Sequence, residues 1–113
     1  MILIKKPWGK EELIEKNNKY MFKKLFMKKG HRCSMQFHKI KKETIFVLSG
    51  KLKVYYGKSS NKLKSKILNK NQFITIEPKI VHRMRALTSC YYLELSTPEL
   101  NDVIRIADDY KRV

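Results

Sequence analysis

Cysteine is scarce in this chain, which has 113 residues and two cysteines, Cys33 and Cys90. Two cysteines are too few for a disulfide framework, and their separation excludes the C-x-x-C spacing of redox and zinc motifs. We therefore expect both thiols to be reduced and buried as small hydrophobic groups in a cytoplasmic protein. A chain of this length can bury one core without disulfides, which predicts a single domain over residues 1–113.

The sequence also lacks any long apolar run. The first residues, MILIKKPWGKEE, reach lysine after four apolar positions, so they do not form the apolar segment of a signal peptide. No later segment has the length that a transmembrane helix requires. We therefore expect no membrane partner. Trp8, the single tryptophan, is expected to anchor the N-terminal arm onto the rest of the domain.

Acidic residues are few compared with basic ones. The chain has ten Asp and Glu residues and 26 Lys and Arg residues, which gives a formal net charge of +16. The excess consists mostly of lysine and is spread along the chain, whereas a nucleic-acid site favours arginine and dense basic segments. We therefore predict no nucleic-acid partner. A basic cleft would still concentrate small anionic ligands such as phosphorylated sugars.

Most of the chain reads as short strands separated by turns. Residues 11–29 allow a helix at their start, but Asn17-Asn18 indicates a turn, and the following residues suit a strand that ends at Gly30. From there β-branched and aromatic residues cluster in short segments, with Gly or Asn between them. This pattern predicts an all-β sandwich or barrel, with an arm at about 1–20, the barrel at about 21–97 and a short tail at about 98–113.

The segment RCSMQFH alternates cleanly between polar and apolar residues, as a strand with two different faces does. The alternation predicts a polar row and an apolar row: Arg32, Ser34, Gln36 and His38 on one face, and Cys33, Met35 and Phe37 on the other. If the apolar row packs on a second sheet or on a partner subunit, the polar row faces a cavity, and a homodimer is favoured. In the opposite arrangement the polar row faces solvent.

Four side chains in two segments could bind a metal ion. Gln36 and His38 lie two apart on one strand, Glu43 follows a KIKK turn, and His82 begins a later strand. We expect Glu43 to lie across from His38 on the paired strand. Two imidazoles, a carboxylate and an amide oxygen suit Zn²⁺ and also accept Mn²⁺, Fe²⁺, Co²⁺ or Ni²⁺. A histidine at a strand end is more often an ordinary hydrogen-bonded residue, so the ligand role rests on the whole pattern.

That pattern resembles a known family. Gly30-x5-Gln36-x-His38-x4-Glu43-x6-Gly50 resembles the first motif of the cupin superfamily, G-x5-H-x-H-x3,4-E-x6-G, with Gln36 in place of the first His. The segment NQFITIEPKIVH resembles the second motif, with Asn71 and Lys79 where glycines are usual. Together with KPWGK, YLELSTPEL and NDVIRIADDYKR, these motifs resemble the C-terminal cupin domain of type II mannose-6-phosphate isomerases.

The resemblance implies a small double-stranded β-helix (cupin or jelly-roll) barrel with Gln36, His38, Glu43 and His82 as metal ligands. It also implies a sugar-phosphate isomerase that converts mannose 6-phosphate to fructose 6-phosphate through an enediol. In the family the domain is often fused to a mannose-1-phosphate guanylyltransferase, for which 113 residues leave no room, so we expect a stand-alone isomerase-like domain.

The other roles in such a site have several candidates. Glu94, a carboxylate in an apolar strand, is the candidate base, although it could equally face solvent. Arg105, in the tail that the resemblance covers, is the other catalytic candidate and the second candidate, after Arg32, for binding the phosphate. The candidates for substrate binding are Arg32, Ser34 and Lys53, with Lys51 weaker. Two other functions stay open: a non-catalytic cupin that binds a sugar or sugar nucleotide, and an oxidative cupin that uses Fe²⁺, which Gln36 in a histidine position disfavours.

Overall fold

The computed structural model describes residues 2–99 and 101–110, and within these ranges it contains eleven β-strands and no helix. In chain order they are β1 (Ile2–Lys6), β2 (Gly9–Lys16), β3 (Met21–Met27), β4 (Met35–Phe37), β5 (Glu43–Ser49), β6 (Leu52–Gly57), β7 (Lys64–Leu68), β8 (Phe73–Ile76), β9 (Val81–Ala86), β10 (Cys90–Ser96) and β11 (Ile104–Ala107). No helix in these ranges is long and apolar enough to cross a membrane.

The strands form two antiparallel sheets. One has six strands in the order β1-β2-β3-β10-β5-β8, and the other has five in the order β11-β4-β9-β6-β7. The chain crosses from one sheet to the other over short connections, since β4 and β5 are consecutive in the chain but belong to different sheets. The all-β prediction is confirmed.

The predicted arm is part of the six-stranded sheet. The helix alternative at the start of residues 11–29 is wrong, because Gly9–Lys16 is a strand that pairs with β1 on one side and β3 on the other. Pairing on both edges outweighs the helix-forming tendency of the sequence EELIEK. The turn at Asn17 is confirmed, since its side-chain oxygen accepts the backbone N–H groups of Lys19 and Tyr20.

The core lies between the two sheets and contains Trp8, which is 4% exposed and ties the arm to the barrel as expected. Both cysteines belong to this core. Burial raises the pKa of each thiol to about 11, so neither is a thiolate at neutral pH. The prediction of free, buried cysteines is confirmed.

The predicted two-row strand is regular only over Met35–Phe37. Cys33 and Ser34 are both buried, so the expected apolar outer row does not extend to Cys33. Arg32 also leaves the polar row, because its guanidinium pairs with Asp109 at 2.6 and 2.9 Å. The alternation of inward and outward side chains does not extend to these residues because the strand is not continuous there: Arg32 makes only an isolated bridge with Arg85.

Four turn positions have a left-handed backbone. Gly30 and Gly50 have φ of 81° and 84°, and a Cβ at Gly50 would lie 2.5 Å from the Ser89 carbonyl oxygen. Asn71 and Lys79 have φ of 67° and 69° without being glycine. The backbone therefore keeps the turns of the second cupin motif although both glycines are replaced, at some cost in strain at Lys79.

Candidate metal centre

Three of the predicted ligands meet inside the barrel. His38 follows β4, Glu43 begins β5 and His82 lies in β9. Glu43 Oε1 is 2.9 Å from His82 Nε2 and 3.4 Å from His38 Nε2, and one ligand atom from each of the three residues lies within 4.8 Å of the others. The cluster can therefore surround a single ion.

Glu43 reaches His38 across the barrel interior. The prediction that the two residues lie on paired strands is wrong, because β4 belongs to the five-stranded sheet and β5 to the six-stranded sheet. Residues 39–42 carry the chain from one sheet to the other, so the two side chains face each other between the sheets. The cross-strand neighbours of Glu43 are Ile76 on β8 and Ser96 on β10.

Burial leaves the facing atoms of this cluster without partners. The three residues are at most 2% exposed, and among the described residues no hydrogen-bond partner is found for His38 Nε2, His82 Nε2 or either carboxylate oxygen of Glu43. Each unsatisfied buried polar atom costs about 1–3 kcal/mol. One such atom from each of the three residues lies within 4.8 Å of the others, which fits a bound cation, and two imidazoles with a carboxylate are suitable ligands for a divalent transition metal.

Backbone carbonyls orient both imidazole rings. The Nδ1–H of His38 donates to the Asp102 carbonyl, and that of His82 donates to the Ile80 carbonyl at 3.0 Å. These bonds place the proton on Nδ1, so the Nε2 lone pair of each ring points toward Glu43. Such outer hydrogen bonds are the usual support of metal-binding histidines.

Charges around the cluster keep Glu43 ionised. Burial opposes its ionisation, but the two imidazoles and Lys41, whose Nζ is 3.9 Å from Oε2, outweigh burial and hold the pKa of Glu43 well below its usual range. For His82 burial lowers the pKa, and the Glu43 carboxylate outweighs it, so the pKa of His82 is raised. Without a bound cation, the Glu43 carboxylate therefore favours a proton on His82.

Gln36, the fourth predicted ligand, lies beside the cluster. It is the cross-strand partner of His82 between β4 and β9, and its side-chain oxygen accepts a 2.6 Å hydrogen bond from the Ser34 hydroxyl. Ser34 is 1% exposed, so this bond holds the Gln36 amide in one orientation. The register therefore brings Gln36 into the neighbourhood of His38, Glu43 and His82.

A cavity of about 100 Å³ adjoins the cluster. Of the predicted site residues, five line it: Ser34, Gln36, His38, Glu94 and Arg105. Neither Arg32 nor Lys53 belongs to the described residues that line it. Arg32 is held by Asp109, and Lys53 lies on β6 with its Nζ 5.1 Å from the Tyr55 ring. Asp109 thus pairs with a basic side chain.

Comparison with known proteins identifies the family. Residues 2–108 match the model of the family described as mannose-6-phosphate isomerase C-terminal. The chain belongs to this family. The expected resemblance is confirmed, and so is the double-stranded β-helix fold, since an RmlC-like cupin from Shewanella frigidimarina superposes with a TM-score of 0.76 at 18% identity, covering 89% of this chain and 86% of that one.

Two curated relatives are longer proteins. Mannose-1-phosphate guanylyltransferase 2 of Escherichia coli O157:H7 is 29% identical over 111 residues, which cover 94% of this chain and 22% of the relative. Mannose-1-phosphate guanylyltransferase of Escherichia coli K12 is 30% identical over 113 residues, covering 96% of this chain and 23% of the relative. The chain therefore spans less than a quarter of these relatives.

This member of the family contains a buried charge cluster that the sequence analysis missed. Lys23 lies 3.4 Å from Glu11 and 3.8 Å from Glu94, and all three line the cavity while at most 8% exposed. Burial and the neighbouring Glu43 charge raise the pKa of Glu94 to about 7, against the opposing effect of Lys41 and Lys23. The sequence signal for this cluster was Lys23, a lysine at an inward-facing position of β3 between the apolar Met21 and Leu25.

Asp102, also missed, connects the C-terminal segment of this cupin to the metal centre. Its carboxylate accepts the backbone N–H groups of Lys39, Ile40 and Lys41 at 3.1, 2.7 and 2.9 Å, while its carbonyl orients His38. The same three N–H groups lower the pKa of Asp102. Because Asp102 is 64 positions from His38, no local pattern could have indicated this contact.

Proposed function

We propose that this cupin is a metal-dependent sugar-phosphate isomerase that interconverts mannose 6-phosphate and fructose 6-phosphate, or a closely related pair. The observation that carries the proposal is the set of unpartnered, buried atoms of His38, Glu43 and His82, next to a cavity that contains a buried carboxylate. The family of the chain supports the choice of substrate class.

The metal would be held by His38, Glu43 and His82, with the Gln36 amide oxygen as a fourth ligand. This mixed nitrogen and oxygen set favours Zn²⁺, and Mn²⁺, Fe²⁺, Co²⁺ or Ni²⁺ could replace it. A bound divalent ion supplies Lewis-acid polarisation of the sugar oxygens without a change of oxidation state.

Glu94 is the proposed base. Aldose–ketose isomerisation removes a proton from one carbon, passes through an enediol and returns a proton to the neighbouring carbon. A carboxyl with a pKa of about 7 can both accept and return that proton near neutral pH. Lys23, 3.8 Å from Glu94, would keep the ionised form accessible during the cycle.

Arg105 is the proposed contact for the phosphate group. Its Nε is buried and, among the described residues, has no hydrogen-bond partner, while the residue lines the cavity. An unpartnered guanidinium N–H is a suitable donor to a phosphate oxygen. Ser34 lies in the same cavity but already donates to Gln36, so we assign it to ligand orientation first and to substrate contact second. Arg32 and Lys53 would contribute only outside this cavity.

The size of the cavity favours one alternative function, a non-catalytic cupin that binds a sugar or sugar nucleotide. Small-molecule pockets usually measure about 300–1,000 Å³, and the cavity here measures about 100 Å³. A whole hexose phosphate would require the cavity to open. In the alternative, only part of a ligand enters, and the charged groups serve recognition.

Elemental analysis and an isomerase assay together test the proposal. We expect about one equivalent of a divalent ion in the wild type, little in His38→Ala and less than wild type in Gln36→Ala, with Glu77→Ala as an exposed control that keeps the metal. Metal-loaded wild type should form fructose 6-phosphate from mannose 6-phosphate, and Glu94→Gln should keep the metal but lose most turnover.

The alternative outcomes separate the two functions. Metal binding without turnover, combined with saturable binding of mannose 6-phosphate or a sugar nucleotide, would favour the non-catalytic cupin. Full isomerase activity in His38→Ala would contradict the metal-dependent mechanism. Absence of metal in every sample, even after dialysis against divalent ions, would remove the proposed centre.

A further inference from the structure

A second, larger cleft lies where the two sheets separate. Strands β7 and β8 follow each other in the chain, but β7 pairs with β6 and β8 pairs with β5, so they belong to different sheets. Between them is a cleft of about 570 Å³, which shares no lining residue with the cavity beside the metal centre. We call it the lysine cleft, after the four lysines that line it: Lys58, Lys62, Lys64 and Lys66.

Two of these lysines occupy positions at which a strand normally carries an apolar residue. Side chains two apart on a strand share a face, so Lys64 and Lys66 lie on the face of β7 that also carries Leu68, which is fully buried in the core. Their cross-strand neighbours on β6 are Tyr56 and Val54. A lysine at a core-facing position contributes little to packing, whereas its ammonium group can serve a ligand.

The positive charge of this region has no acidic counterpart. From residue 44 to residue 76 the chain contains no Asp, Glu or Arg and seven lysines, four of which the fold gathers in the cleft. Among the described residues none of these four forms an ion pair, and Glu77, which also lines the cleft, pairs with Lys42 at 3.1 Å. Side chains two apart on a strand start roughly 7 Å from each other, so a bound anion would relieve the repulsion between neighbouring lysines.

The β8 side of the cleft is apolar. Ile74 and Ile76 project inward from β8, and Ile80 follows in the connection to β9. Tyr56, near the end of β6, adds an aromatic ring, and together with Ile74 and Ile80 it packs partly against the core. The cleft therefore combines a cationic side with an apolar and aromatic side.

We propose that the lysine cleft binds a nucleoside diphosphate, either free or as part of a larger molecule. Four ammonium groups exceed what a single phosphate needs and suit two adjacent phosphates. The isoleucines and the Tyr56 ring suit the flat, apolar faces of a base. The cleft volume also falls within the range of roughly 300–1,000 Å³ that is usual for small-molecule sites.

The arrangement of charge and apolar surface favours this ligand over other anions. A sugar phosphate would place hydroxyl groups against isoleucines, where they lose hydrogen bonds to water. A lipid anion has its charge at the end of a long apolar chain, for which three isoleucines and one tyrosine are a short wall. Single-stranded nucleic acid stacks successive bases on several aromatic rings, and the cleft provides one.

The proposal is independent of the isomerase function. The cleft adjoins strands that carry two candidate metal ligands, since Tyr56 is the cross-strand neighbour of His82 and Ile76 is that of Glu43. None of the candidate metal ligands lines it. Nucleotide binding should therefore persist in metal-free protein and in His38→Ala, so a failure of the metal centre leaves the test of the cleft intact.

Isothermal titration calorimetry with ADP, GDP and UDP tests the cleft, with inorganic pyrophosphate as the probe for charge alone. Wild type should bind the nucleotides at one saturable site whose dissociation constant rises with potassium chloride, because salt screens the lysines. Lys64→Ala and Lys66→Ala should each weaken binding by about tenfold or more, since each removes a charged donor. Both lysines are exposed, so these variants should fold, as circular dichroism checks.

Two further variants separate charge from stacking. Tyr56→Leu keeps apolar packing on the core but removes the ring, so nucleotide binding should weaken about fivefold or more while pyrophosphate binding stays the same. Lys70→Ala is the matched control, because Lys70 is an exposed lysine of the same acid-free segment that does not line the cleft. It should change the dissociation constant by less than about twofold.

Several results would overturn the proposal. Absence of saturable binding for all three nucleotides would reject the site, and equal affinity for pyrophosphate would reject the part that the base occupies. Equal weakening by Lys70→Ala would show a general effect of net charge. Tighter binding of a single-stranded oligonucleotide, or of vesicles that contain an anionic phospholipid, would assign the cleft to a nucleic acid or a membrane surface instead.

Discussion

The two halves of the barrel interior differ sharply although the same strands build both. Along β5 the inward residues run from Glu43 to Ile45 and Val47, and along β10 they run from Glu94 to Tyr92 and Cys90. One half thus contains buried charges and imidazoles, and the other contains aliphatic and aromatic side chains. The apolar half can stabilise the fold alone, whereas each charge in the polar half needs a partner or a ligand.

This division indicates how the barrel accommodates a reactive site. The apolar half includes Leu52, Val54 and Leu68, all fully buried, and its burial drives folding. The polar half contains the unpartnered atoms around Glu43 and the Lys23 cluster. We therefore expect substitutions in the apolar half to change the stability of the fold, and substitutions in the polar half to change metal binding or the pH dependence of stability.

The largest effect on stability is expected from Leu52→Ala in the apolar half. Leu52 is fully buried, so its truncation should lower the free energy of unfolding by about 2–5 kcal/mol through lost burial and a cavity. Urea denaturation measures this loss. The folded variant should keep the metal content of wild type, and a loss of metal together with stability would show that the two halves are not separable.

Among substitutions in the polar half, Glu43→Gln should have the largest effect on metal binding. Removing the carboxylate that faces both imidazoles should weaken metal binding at least about a hundredfold. In thermal melts, added Zn²⁺ should raise the melting temperature of wild type but not of the variant, because only a protein that binds the ion gains stability from it. An equal rise in both proteins would place the ion elsewhere.

Glu94→Gln tests the buried carboxyl through pH. The pKa of Glu94 is about 7 in the folded protein and about 4.5 in an unfolded chain, so the folded state binds the proton more tightly. Stability from this group is therefore fully present below about pH 4.5 and is lost as the pH rises toward 7. Metal-free wild type should lose stability over this window relative to Glu94→Gln, as measured by urea titrations at a series of pH values.

Asp102→Asn tests the connection between the C-terminal segment and His38. The variant keeps the backbone carbonyl that orients His38 but weakens the three contacts to residues 39–41. Metal affinity should fall by about 10–100-fold, as for other supporting residues of metal sites. The stability difference from wild type should be present above the ordinary Asp pKa of 3.8 and shrink as the pH falls below it, because the folded-state pKa is lowered.

The smallest change is expected from Lys79→Gly. Its φ of 69° strains a lysine but suits glycine, while its backbone N–H, which donates to the His38 carbonyl at 2.6 Å, is unaffected. Relief of roughly 1–2 kcal/mol of left-handed strain should exceed the entropy cost of about 0.4–1 kcal/mol in the unfolded chain, so we expect a small net gain in the free energy of unfolding, with metal content unchanged. A loss of stability would mean that the entropy of the more flexible unfolded chain outweighs the relief of strain.

Much of the fold and part of the site could be predicted from sequence. The turn-bounded short strands and the turns at Gly30 and Gly50 are local features, and the structure confirms them. The motif spacing also predicted that His38, Glu43 and His82 come together, as they do, whereas their role as metal ligands stays a prediction. The strand at Gly9–Lys16, the break in parity at Cys33 and the separation of β4 and β5 into different sheets depend on long-range pairing. Single-sequence patterns contain no information on which edges pair.

By itself the sequence determined the all-β class, the buried cysteines and the residue types of a candidate metal centre, because strand periodicity and side-chain chemistry are local properties. Only the tertiary structure decided that Glu43 meets two imidazoles across the barrel, that Lys23 joins Glu11 and Glu94, and that Asp102 supports His38. The physical reason is that a buried charge is acceptable only beside a suitable partner, and here the partners come from distant strands that the sheet topology brings together.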